Sequence, residues 1–68
     1  MSSRSDHKLK SDEIDFLNEM IKHHEMAVRM CKNMLSTVNH HDVESIAYSI
    51  IQAQVNEIEL MRQLLRNN

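Results

Sequence analysis

The chain has 68 residues, of which 41% are hydrophobic and 26% charged, with a formal net charge of -2 and neither glycine nor proline. That length allows one small domain that buries too little of its own surface to be comfortable alone, so association is expected. A single cysteine, Cys31, rules out an intramolecular disulfide, and no Cys and His spacing of a structural zinc site is present. Basic and acidic residues are interspersed, and Phe16 and Tyr48 are the only aromatics. There is thus no footprint for a phosphate backbone and no stacking platform for single strands, which excludes nucleic acid as the expected partner.

Residues 1 to 10 are polar and unpatterned and are expected to be a disordered tail, followed by one helical domain over 11–68. The start lacks the apolar segment of a signal peptide, and no run approaches the ~20 apolar residues of a membrane span. The expectation is a chain that is cytoplasmic or otherwise soluble, with no membrane partner. The free Cys31 is compatible with a reducing compartment.

The first helix is expected at about 11–36, with Ser11 as its N-cap and Asp12 and Glu13 in the first turn, where negative charge complements the helix dipole. Two heptad rows lie side by side on it. One is Phe16, Met20, His23, Ala27, Met30 and Met34; the other is Leu17, Ile21, His24, Val28, Cys31 and Leu35. Each row would serve one neighbouring helix. Thr37 to His41 break the period, Asp42 is the expected N-cap, and a second helix follows at about 42–66. Its stripe runs through Val43, Ile46, Ala47, Ile50, Ile51, Gln54, Glu57, Ile58, Met61, Leu64 and Leu65. The short connection predicts an antiparallel hairpin. Two apolar rows per helix ask for more partners than one hairpin supplies, so the expected fold is all-α, a hairpin dimerising into a four-helix bundle.

The run MIKHHEMAVRMCKNM, Met20–Met34, concentrates thioethers, imidazoles and the thiol. Such groups suit a soft monovalent ion, copper(I) or silver(I), and a helix stacks them at spacings of three and four. Met is equally an adaptable core filler, so the same stripe also reads as plain packing. His23 and His24 diverge by about 100° around the axis and are not expected to share one ion. Folding about a loop near residue 40 brings Met20 level with Met61, and His23 and His24 level with Glu57 and Gln54. Glu57 and Gln54 then either complete a structural hydrogen-bonded layer or orient a histidine whose other nitrogen joins a thioether around the metal. Met30 and Met34, with Met26 nearby, could form a second thioether group, and Cys31 is a further soft donor or an inert core residue. Histidines 40 and 41 are expected in a solvated loop, and His7 in the tail.

Other chemistries find no support in the sequence. No Glu is followed three residues later by His, as inward-facing di-iron pairs require. His24-Glu25 is followed by Met26, Ala27 and Val28, so the zinc-protease pattern is absent. Without glycine there is no phosphate loop and no nucleophile elbow. The expected function is non-enzymatic binding of copper(I) or silver(I), as buffering or sequestration, with Met20, His23, His24, Met30 and Met61 as the ligands and Gln54 and Glu57 orienting the histidines. The alternative is a metal-free dimerisation module with a structural His/Gln/Glu layer.

The segments FLNEMIKHHEMAVRM (16–30) and IAYSIIQAQVNEIELMR (46–62) resemble the family catalogued as domain of unknown function 305. The match covers roughly residues 12 to 66. The resemblance implies a ferritin-like helical bundle, and some secreted members bind copper and silver through Met and His. The family motif falls here on Met20, His23, His24, Met30, Gln54, Glu57 and Met61. The chain departs from the pattern at Cys31, where Ala is common, in starting without a signal peptide, and in having one hairpin where copper-binding members often have a longer bundle.

Overall fold

The computed structural model describes residues 8–68; the expectations for residues 1–7, His7 included, lie outside the described residues. Two helices, α1 (Ser11–Leu35) and α2 (His41–Arg66), pack side by side as an antiparallel hairpin. The fold is therefore all-helical, as its binary pattern predicts.

Helix starts and stops differ from the expected caps in an instructive way. Ser11 is already helical, and Lys10 holds the cap position with extended backbone; the Glu13 carboxylate accepts from the Lys10 N–H at 2.8 Å. On α2 the cap is His40 rather than Asp42. Its Nδ1 accepts from the Asp42 N–H at 3.2 Å, so the imidazole performs the task a capping carboxylate would,. Asp42 instead sits in the first turn, where its charge faces the positive end of the helix dipole,. With no glycine to adopt a left-handed cap, the last carbonyls of α1 are met by the Ser36 hydroxyl and by backbone N–H groups of the turn that follows,. Ser36 Oγ donates to the Asn33 carbonyl at 2.7 Å, and the Val38 N–H to the Met34 carbonyl at 2.9 Å. At the open end of the hairpin the Leu9 N–H donates to Asn68 Oδ1 at 2.6 Å, tying the start of α1 to the end of α2.

The seam between the helices uses one heptad row from each. Leu17 and Ile21 on α1 and Ala47 and Ile58 on α2 are the buried hydrophobic residues. His24, Val28, Cys31 and Leu35 continue the α1 row half-buried, as Ile51, Gln54, Met61 and Leu65 do on α2. The 3-4 alternation of both rows is the seam of an antiparallel coiled coil.

The second row on each helix is left uncovered. Phe16, Met30 and Met34 on α1, with Val43, Ile46, Ile50, Leu60 and Leu64 on α2, all remain exposed. In an antiparallel pair, rows displaced in the same rotational sense from the seam emerge on the same side, so these residues form one continuous face. The opposite side is closed differently, by an ion pair between Arg62 and Glu25. The described chain measures 51 × 23 × 14 Å, a single layer one helix thick. Stable helical domains stack two such layers. No helix among the described residues is long and apolar enough to cross a membrane.

Candidate soft-donor groove

His24 lies on the seam row of α1, and this position decides its surroundings. Its Nε2 stands 2.5 Å from Glu57 Oε1 across the hairpin, and its side chain is 13% exposed while that of Glu57 is 58% exposed. With the carboxylate accepting from Nε2–H, the ring is fixed in the tautomer whose lone pair is on Nδ1. The pairing also sets the register: facing residue numbers add to about 81, as His24 and Glu57 do.

One turn toward the open end the same register sets Met20 opposite Met61. Met20, His24, Glu57 and Met61 line a single groove on the uncovered face, with Phe16 and Leu60 as its apolar walls. Two thioethers, one imidazole and a carboxylate held on that imidazole thus converge. Among the described residues no group of three or more His, Cys, Asp or Glu side chains could hold a metal ion. The polar and sulfur groups brought together are thus mixed: two thioethers, one imidazole and one carboxylate.

The remaining candidates are distributed elsewhere. His23 is exposed on the uncovered row and does not line the groove with His24, in keeping with the 100° divergence of adjacent helical positions,. Gln54 is half-buried on the seam, one turn from Glu57 toward the loop. Met30, Cys31 and Met34 line a second groove on the same face, walled by Val43, Ile46, Ala47 and Ile50. Cys31 is a free, half-buried thiol there. Met26 is 57% exposed and lines neither groove. Phe16 and Leu60 were not among the sequence candidates for the site. The signal for Leu60 was present, since Val43, Ile46, Ile50, Ala53, Glu57, Leu60 and Leu64 alternate by three and four.

A helical hairpin that carries a Met/His groove on its unpartnered face is the class of protein this geometry defines. The chain belongs to the family described as a domain of unknown function (DUF305), whose model matches residues 1–66. It is 37% identical over 54 residues to an uncharacterized protein of Acanthamoeba polyphaga mimivirus, a stretch that is 79% of this chain and 36% of that relative. The chain thus spans about a third of the length of the curated relative. No solved structure matches it.

Proposed function

We propose that the protein binds copper(I) or silver(I) without turning over a substrate, as a buffer or sequestering module, and that it works as a dimer of hairpins in a four-helix bundle. The observation that carries the metal reading is the convergence of Met20, His24 and Met61 on one groove with Glu57 hydrogen-bonded to His24. Thioether sulfur and neutral imidazole are donors that a soft monovalent cation accepts while hard cations reject the sulfur. Glu57 holds the orientation of the ring, the role carboxylates take beside metal-bound histidines. When bound, the ion would supply a charge that the thioethers and the ring stabilise. Met30, Met34 and Cys31 in the second groove offer a further soft-donor group.

The uncovered row supports the dimer reading. Eight large apolar side chains on one face of a layer only one helix thick would otherwise stay in water,. A second hairpin laid on that face would complete the two-layer core and also close both grooves to solvent.

A metal-free dimerisation module is the second reading, favoured by the same His24–Glu57 hydrogen bond taken as a purely structural contact. Titration of Cu(I) against a competing chelator separates the two. The metal reading expects the unaltered chain to bind far more tightly than one carrying Met20→Leu, His24→Ala and Met61→Leu together. Equal, weak affinities of the two proteins would leave the dimerisation module.

A further inference from the structure

The uncovered face has an order along its length that specifies how a second copy sits on it. Within the hairpin, the exposed row of α1 comes level with the exposed row of α2 to within one residue of the register set by His24 and Glu57, an offset of about 1.5 Å along the axis. Phe16 is level with Leu64, Met20 with Leu60, and Met30 with Ile50. The row's one exposed histidine, His23, is level with its one carboxylate, Glu57. Between these levels Ala27 is matched by Ala53, the smallest side chains in the two rows, at the middle of the face.

Two ways exist to stack a second hairpin face to face with two-fold symmetry. With the axis across the helices, each helix lies on its own copy and levels invert about the midpoint. His23 then meets Met30, and Glu57 meets Ile50, so that a carboxylate and an imidazole are each buried against hydrocarbon, which costs free energy for every polar group left unpaired. With the axis along the helices, α1 lies on α2 of the second copy and levels are kept. Every apolar residue of the α1 row then meets an apolar one of the α2 row, Ala27 meets Ala53 where the helices approach closest, and His23 meets Glu57. Glu57 has the capacity for this contact: Oε1 is engaged by His24, while the carboxylate is 58% exposed and can accept further hydrogen bonds,.

Building on the dimer reading above, we infer that the occupant of the apolar face is a second copy of this chain in the level-keeping arrangement. Glu57 there bridges His24 of its own hairpin and His23 of the second copy. The adjacent histidines that diverge within one helix are thus gathered, two-fold, into one polar layer of four imidazoles and two carboxylates. That layer fixes register and partner choice in the way a buried polar position does in a coiled coil. It also makes each Met20–His24–Met61 groove complete only in the dimer, because the second copy's α2 covers it.

The arrangement is tested with two proteins, each carrying Cys31→Ser so that only an introduced thiol can react: one with Ala27→Cys, the other with Ala53→Cys. Both positions hold a small side chain on the uncovered face, so the substitutions leave the hairpin seam intact. Mixed and mildly oxidised, they are expected to give chiefly the 27–53 heterodisulfide, with each protein alone giving little covalent dimer. Efficient 27–27 and 53–53 disulfides would overturn the arrangement while leaving the dimer standing. Sedimentation of the unsubstituted chain as a monomer at micromolar concentration would overturn both. A second variant guards the polar contact: His23→Glu, which sets two carboxylates at one level, is expected to weaken dimerisation at least tenfold with helicity per residue kept at high concentration. Unchanged dimer affinity would remove His23 from the interface.

Discussion

His24 and His23 differ by one position and by everything that matters physically. The first is nearly enclosed on the seam against Glu57, the second is exposed on the neighbouring row. Substitutions should separate them. His24→Ala is expected to weaken Cu(I) binding and to flatten its pH dependence, because protons compete with metal for an imidazole nitrogen and not for a thioether. Met20→Leu is volume-conserving and should weaken binding while leaving the pH dependence unchanged. Competition titrations at several pH values measure both, and identical pH profiles for the two variants would contradict the assigned roles. Glu57→Gln keeps an acceptor for the ring but loses the negative charge, so it is expected to change stability by less than about 1.5 kcal/mol while lowering metal affinity about tenfold.

At the scale of the element, the buried seam and the half-exposed ion pair beside it make opposite predictions for truncation to alanine. Ile58 is 7% exposed, so Ile58→Ala should destabilise by about 2–5 kcal/mol, enough to unfold much of so small a domain, read by circular dichroism on heating. Arg62→Ala removes an ion pair whose side chains are each nearly half exposed, and should cost less than about 1 kcal/mol. The helices and their pairing were legible because hydrophobic period and loop length are local properties: two rows of 3-4 spacing and a short polar break suffice. The meeting of His24 with Glu57 and of Met20 with Met61 followed from the antiparallel register alone. Which row would face the intramolecular partner was not legible, since both rows of α1 are comparably apolar and the choice depends on the handedness of the turn between the helices. The caps escaped for a smaller reason. Side-chain preference ranks Asp42 above His40 as a cap, but the helix begins at His41, and the His40 imidazole accepts from the Asp42 N–H in its place.

For the whole molecule, the decisive feature is a layer 14 Å thick with an apolar face. If folding and association are linked, the midpoint of thermal unfolding rises with protein concentration, because only the folded chain dimerises. A midpoint constant over a hundredfold range of concentration would show that the hairpin stands alone. The metal claim is tested most directly by X-ray absorption at the copper edge of the Cu(I)-loaded 68-residue chain carrying Cys31→Ser, which removes the thiolate as a competing donor. The account predicts a shell containing both sulfur and imidazole scattering, with the imidazole signal lost in His24→Ala and the sulfur contribution reduced in Met20→Leu. A shell of nitrogen and oxygen alone, or one unchanged by either substitution, would contradict it.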